Sequence, residues 1–322
     1  GESSPVTVKP YELEQFGDLE QDELIDHLAD QIDEADLVIG DRQERGYQAN
    51  ISVTDQNGDG EVTVYLNTYR LRNGTLNGEA FSVDSDSDDS VTEQMVEENT
   101  TDLIDAGQYD LQVMAGEKQY TADSDGVATL ALEDRSTDSI RMWTGSKEEM
   151  NFNDLEDINE ALANNELSQS SDIAVGDYAV HQVQASGFEG VLNARENEDV
   201  TADFNETTRT GPLRLTIEEA DPGANQNAQA LDLDYTDDGT GNVTVIADGA
   251  NDTYFVIVDT EDVTVDGAAL PNDGDTELET NFTVLQDDAG FDFTPDEEFD
   301  DDENSETFVE FTAEEPEINI DE

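Results

Sequence analysis

YQANISVT (47–54), EVTVYLNTYR (61–70), FSV (81–83), YDLQVMA (109–115), VATLALE (127–133) and SIRMWT (139–144) alternate apolar and polar residues with a period of two. Successive side chains of an extended strand point to opposite faces, so this alternation turns one face toward a core and one toward water. The runs follow one another through Asp, Asn and Gly turns with no long helix between them. Antiparallel sheets are the expected result, most simply a sandwich.

The same pattern resumes downstream in DIAVGDYAVHQVQA (172–185), PLRLTIEE (212–219), LDLDY (231–235), LETNFTVL (278–285) and TFVEFTA (307–313). VTVIADGANDTYFVIVD (243–259) reads as two buried strands around a Gly/Asn/Asp turn, a hairpin by its length. Two segments break the period. QDELIDHLADQIDEAD (21–36) spaces Leu24, Leu28 and Ile32 along one face of a helix, with Asp22 and Glu23 at its positive N-terminal end. NFNDLEDINEALANNEL (151–167) predicts a second helix capped by Asn153, with Glu156 three residues later and Leu155, Ile158 and Leu162 on one face.

The expected architecture is mainly β: two tandem immunoglobulin-like antiparallel sandwiches, an N-terminal helix and a short linking helix. Residues 1–146 hold the N-terminal helix and first sandwich, 147–171 the helical linker, and 172–322 the second sandwich. The acidic runs DSDSDD (84–89) and TPDEEFDDDENSE (294–306) lack apolar periodicity and are expected as mobile loops, the latter preceding the last strand. In DAGQYDLQV (105–113), Gly107 precedes Tyr109 by two residues. This fits a tyrosine corner, whose hydroxyl ties back to upstream backbone, and equally an ordinary glycine turn before a strand.

Charge decides the setting. The chain has 83 acidic residues against 12 basic ones, a formal net charge of −71 over 322 residues. At 1 M ionic strength the Debye length is roughly 3 Å, so carboxylates that repel in dilute buffer scarcely feel one another. The composition suits concentrated salt, where the same charge no longer strains the compact state. It argues against nucleic acid and anionic lipid as partners, because phosphates need Lys and Arg. Calcium or other cations are the natural small partners, and no other cofactor is implied. There is no cysteine, which removes disulfides and thiolate chemistry. No apolar run reaches the length of a membrane span, and the amino terminus, GESSPVTVKP, lacks the basic and apolar regions of a signal peptide.

Asn-x-Ser/Thr sequons occur at Asn50, Asn73, Asn99, Asn205, Asn242, Asn251 and Asn281, and they suggest an exported glycoprotein carrying N-linked glycans. Asn242 and Asn281 lie in strand-like runs and need outward-facing side chains. DQNGDGE (55–61) has the spacing that opens a calcium loop, with Asp55, Asn57 and Asp59 supplying oxygens and Gly60 the turn. Leu66 stands where an EF-hand needs its twelfth-position Glu, so the choice is between a calcium-binding hairpin turn and a plain turn.

The catalytic inventory is thin. The two histidines, His27 and His181, are far apart in sequence, and His181 reads as a packed strand residue. No nucleophile elbow, zinc-protease motif or phosphate loop occurs. No catalytic residue is assigned and the chain is not read as an enzyme. Trp143, in an alternating strand, reads as packing. Val6 and Val8 near one end, and Ile318 and Ile320 near the other, form short alternating pieces that could pair with a neighbouring chain by strand addition.

ADLVIGDRQERGYQANISVTDQNGDGEVTVYLNTYR (35–70), VATLALEDRSTDSIRMWT (127–144), LEDINEALANNELS (155–168), DIAVGDYAVHQVQASGFEG (172–190) and NDTYFVIVDTEDVTVDG (251–267) together resemble haloarchaeal surface glycoproteins, the BGTF-type surface-domain proteins related to S-layer proteins. The resemblance runs from Ala35 to Ala313. It implies export to the cell surface, N-glycosylation and β-rich extracellular domains, and it brings no catalytic residues. The function expected is structural: self-association, or association with other surface proteins, into a layer or filament through sheet edges and cation-bridged acidic surfaces, with no membrane span in these residues. The alternative is a cell-surface adhesin or binding module that recognises a glycan, a cell or a virus.

Overall fold

The computed structural model of the protein describes residues 6–8, 34–40, 48–58, 61–68, 80–83, 88–97, 104–115, 124–193, 199–210, 213–220, 222, 227–235, 241–271, 276–284 and 305–314. The chain divides into two compact units, Gly1–Asp134 and Arg135–Glu322. Both are built mainly from strands.

The first unit contains β1 (Val6–Val8), β2 (Glu34–Ile39), β3 (Gln48–Thr54), β4 (Val62–Leu66), β5 (Phe81–Val83), β6 (Ser90–Glu97), β7 (Gly107–Ala115) and β8 (Gly126–Leu132). They form sheets of order β6-β3-β2-β7-β8 and β1-β4-β5, with antiparallel pairing throughout. The period of two in VTVYL becomes an alternation of buried and half-buried residues along β4. Leu37, Ile39, Ile51 and Val53 from one sheet meet Val62, Val64, Leu66 and Phe81 from the other in a single buried cluster. Two sheets with one apolar face each thus close on a shared core.

Tyr109, 2 % exposed at the start of β7, donates its hydroxyl to the Asp105 carbonyl at 2.7 Å. Of the two readings of this turn, the tie to upstream backbone is the one found.

The second unit contains β9 (Ser136–Gly145), α1 (Leu155–Asn164), β10 (Ser168–Gln169), β11 (Asp172–Ala174), β12 (Tyr178–Ser186), α2 (Glu189–Asn193), α3 (Val200–Thr210), β13 (Leu213–Glu219), β14 (Leu231–Asp232), β15 (Val243–Asp248), β16 (Thr253–Asp259), β17 (Thr264–Val265), β18 (Ala268–Ala269), β19 (Thr276–Val284) and β20 (Ser305–Glu314). Its main sheets run β10-β9-β12-β16-β15 and β11-β20-β19-β13, and β14-β17-β18 form a small third sheet. All pairs are antiparallel except β11 with β20. The expected hairpin at 243–259 is present as β15–β16 around the short turn Gly249–Asn251.

Six of the seven residues of β16 are buried, because the strand is covered on both faces. On one face Phe255 and Ile257 join Val180 and Ile246 beneath Ile158, Ala161 and Leu167 of the α1 segment. On the other, Val256 lies beside His181, which reaches Thr280 of β19 in the facing sheet. Phe282 of β19 packs edge-on to Phe188 and stacks with Phe204 of α3, closing the space between the sheets.

Four expectations change. The sequence reading gave 139–144 to the first sandwich and 147–171 to a linker. Here β9 pairs along its length with β12, and α1 lies on the outer face of that sheet, in the second unit. The apolar stripe of α1 needs an apolar sheet face, and Val180, Phe255 and Ile257 provide it.

The helix cap shifts by one residue. Asp154 accepts from the backbone N–H groups of Glu156 and Asp157, at 2.9 and 3.1 Å, while Asp157 accepts the Asn153 N–H at 2.8 Å. That bond, ahead of the one from the Asn153 side chain, lowers the Asp157 pKa. The helix ends on Asn165 in the left-handed conformation at φ 59°, the residue type after Gly best suited to it.

Of the N-terminal helix expected at 21–36, residues 34–36 belong to β2 and the rest lies outside the described residues. Val6 and Val8 sit in β1, which pairs with β4 of its own chain, Val6 against Val64 and Val8 against Val62. They are therefore taken up within the first unit on that side. Of 84–89 only Asp88 and Asp89 are described, and the acidic run at 294–306 lies outside the described residues apart from Ser305 and Glu306, which open β20.

Candidate functional site

Among the described residues, those that sequence marks for chemistry do not converge on one cleft. Among the described residues no group of three His, Asp or Glu side chains is arranged to hold a metal ion. Asp55 Oδ1 accepts the Gly58 backbone N–H at 2.7 Å, and Gly58 adopts φ 71°. A carboxylate folded onto its own turn this way fixes the chain as it leaves β3. Asn57 is exposed, and Asp59 lies outside the described residues.

The sequons divide by burial. Asn251 is exposed in the hairpin turn, its amide donating to Asp248 Oδ2 at 2.8 Å. Asn205 on α3 and Asn281 on β19 are half-buried. Asn281 lies between Thr280 and Phe282, both fully buried, so it occupies the opposite, outward face of its strand.

Asn50, 2 % exposed, accepts from Gln48 Nε2. Asn242 donates its amide to the Asp232 carbonyl at 2.9 Å and accepts the Asp234 N–H at 2.8 Å, tying the β14 segment to the start of β15. A glycan is bulky and needs the amide nitrogen at the surface. Asn50 and Asn242 are instead committed to the folded interior. Asn73, Asn99, Ile318 and Ile320 lie outside the described residues.

His181 is fully buried between the two sheets of the second unit. Its Nδ1 lies 3.3 Å from the Val256 carbonyl and its Nε2 2.8 Å from Thr280 Oγ1. A carbonyl only accepts, so Nδ1 carries the proton and Nε2 accepts from the threonine hydroxyl. Burial lowers its pKa from 6.5 to about 4 and keeps the ring neutral. It is the packed histidine expected, and the Thr280 hydroxyl that it accepts from is itself fully buried. Trp143 is likewise a packing residue, set against the α1 cluster with its Nε1–H donated to Gln182 Oε1 at 3.0 Å.

Two clusters escaped the sequence reading. Lys147, one of three lysines, lies 2.6 Å from Asp259, 2.9 Å from Glu261 and 3.3 Å from Asp262. The hydrogen bond to Asp259, then that to Glu261, raises its pKa well above the usual ammonium range. It fastens the turn after β9 to the turn after β16, more than 100 residues on, so no local pattern could have announced it. Asp232 accepts from the Thr264 hydroxyl at 2.7 Å and the Gly267 N–H at 3.0 Å, which lower its pKa in that order. It edges an open depression of about 590 Å³ bordered by Gln229 and Asp266.

Residues 14–116 match a family described as a domain of unknown function, DUF7827. The chain is 37 % identical over 287 residues to a Haloferax gibbonsii protein named cell surface glycoprotein, covering 85 % of this chain and 30 % of that protein. It is 34 % identical over 278 residues to cell surface glycoprotein 1 of Haloarcula hispanica, with 80 % and 30 % covered. Cell surface glycoprotein 2 of the same organism is 33 % identical over 272 residues, with 77 % and 29 % covered. The chain thus spans under a third of the length of these curated relatives. Among the described residues no helix is long and apolar enough to cross a membrane.

Proposed function

We propose, from its similarity to haloarchaeal cell surface glycoproteins, that the chain is an extracellular structural segment of a salt-adapted cell surface, which self-associates into a layer or filament. The observation that carries this reading is similarity at 33–37 % identity across at least 77 % of the chain. The net charge of −71 fits it, since such a surface stays soluble and compact in concentrated salt. Cations, calcium among them, bridge carboxylates of neighbouring copies. Glycans attach at Asn251, and at Asn205 and Asn281, rather than at the buried sequons. The role is mechanical, with no catalytic step.

We read the second unit as an immunoglobulin-like sandwich. Taking β9, β12, β13, β15, β16, β19 and β20 as strands A to G, its sheets contain the orders A-B-E-D and C-F-G characteristic of that architecture. The first unit is a two-sheet sandwich of different order.

Electron microscopy of the native protein in about 2 M salt with calcium, repeated after chelation, tests the functional reading. Ordered arrays or filaments that dissolve on chelation are expected. Dispersed single particles in both conditions would overturn it and favour a monomeric binding module.

A further inference from the structure

Edge strands carry unpaired backbone N–H and C=O groups, and proteins ordinarily shorten, charge or cover them. The second unit does this at several of its edges. β10 and β11 are two and three residues long. The outer edge of β15 is met by α3, whose Thr201 hydroxyl accepts the Val245 N–H at 3.0 Å. The outer edge of β13 is met by the segment before β14, through Glu219 N–H to the Gln229 carbonyl at 3.0 Å and a bridge between Glu218 and Ala230.

In the first unit, β1 and β5 are three residues each, and β6 carries Glu93 and Glu97. Among the described residues β8 has none of these devices. It is seven residues long, GVATLAL, without charge or proline, in a chain of which 30 % is charged. It is the last strand of its sheet, paired on one side to β7. Val127 is 76 % exposed, and Ala128, Thr129 and Ala131 are exposed beside it.

We infer that the open edge of β8 is a self-association surface, on which β8 of a second copy adds antiparallel across a two-fold axis. Charge selects the occupant. Two copies of so acidic a chain oppose carboxylates almost wherever they touch, and a seven-residue neutral edge confines that opposition to its two ends. A two-fold contact also matches a patch to itself, which an uncharged apolar strand satisfies.

A register centred on Thr129 sets Val127 opposite the second copy's Ala131. It brings Asp125 of one copy opposite Glu133 of the other at both ends of the pair. Those flanking like charges repel in dilute buffer and are screened at molar salt, so the contact forms only in concentrated salt. One strand pair falls short of the roughly 1,200 Å² that stable interfaces bury, so a single contact is weak and takes hold where many act together. This surface deepens the assembly reading above and rests on it.

The absence of native cysteine makes the test clean. Single cysteines are placed in the full chain at Val127, Thr129 and Ala131, with controls at exposed Ser82 and Thr244, and oxidised with copper–phenanthroline in about 2 M salt. Circular dichroism selects the variants that keep the wild-type spectrum. Directly opposed strand residues hold their Cβ atoms about 4.5–5.5 Å apart, within disulfide reach after small adjustment.

Thr129→Cys is expected to give about tenfold more covalent dimer than either control, and to lose that excess in dilute salt. Val127→Cys mixed with Ala131→Cys is expected to cross-link more than either alone. Cross-linking at β8 no higher than at the controls overturns the inference. If wild-type arrays still form in that case, assembly uses another surface and the functional reading stands; if none form, both fall.

Discussion

The first unit ties one strand to upstream backbone through a tyrosine hydroxyl, and the second ties its two sheets to each other through the core. Tyr109 anchors β7 to Asp105 in a unit whose sheets run β6-β3-β2-β7-β8 and β1-β4-β5. On the immunoglobulin-like reading proposed above, β19, which begins Thr-Glu-Leu-Glu with no tyrosine, would bear the tyrosine corner of the second unit. Its sheets are tied instead through the core, by His181 and Thr280. A corner needs only a few consecutive residues, whereas strand order depends on which faces and edges must be covered. The units differ on that count too: helices cover one face and one edge of the second, and among the described residues the first leaves β8 open.

The largest expected effect tests whether the units are energetically separate. Phe282 is fully buried against Phe188 and Phe204, and Phe282→Ala should cost about 3–5 kcal/mol. Calorimetry in molar salt should show one transition falling and the other unmoved. A joint shift of both would break the division into two units.

Next is acid. The unfolded chain protonates His181 near 6.5, while the folded chain holds it neutral down to about 4. The stability this provides is complete above 6.5 and is lost progressively as pH falls toward 4, to a total of about 3 kcal/mol. His181→Gln should remove that part of the acid slope from the second-unit transition alone. An unchanged slope would mean the histidine is solvated.

Tyr109→Phe should cost the first unit about 1 kcal/mol by deleting one hydrogen bond and leaving the Asp105 carbonyl without that partner. Denaturant melts that leave the first-unit transition in place would make the corner incidental. Asp154→Ala should cost the second unit about 1 kcal/mol or less through the lost helix cap. Asn153→Ala should cost less, and the reverse ranking would restore the cap read from sequence.

What the sequence showed depended on how local the determinant was. The β15–β16 hairpin was legible because a continuous apolar run around a Gly/Asn/Asp turn is sufficient to specify it. The α1 helix was legible from its stripe, but Asn153 and Asp154 are both good caps and the pattern could not choose between them. SIRMWT announced a strand without announcing that β12 would be its neighbour, and so the boundary fell on the wrong side of β9. The sequons were equally visible at Asn50 and Asn251, yet one is interior and the other exposed, because burial depends on strands distant in sequence. The resemblance to haloarchaeal surface glycoproteins drew on the order of many segments rather than on any one motif, and the named relatives bear it out.

The central claim is that copies meet through the β8 edge of the first unit while the covered edges of β13 and β15 in the second take no part. Hydrogen exchange by mass spectrometry, comparing dilute and concentrated protein in about 2 M salt, measures both at once. The account predicts new protection across Gly126–Leu132 at high concentration and no change along β13 and β15. New protection along β13 or β15, or assembly with β8 still exchanging freely, would contradict it.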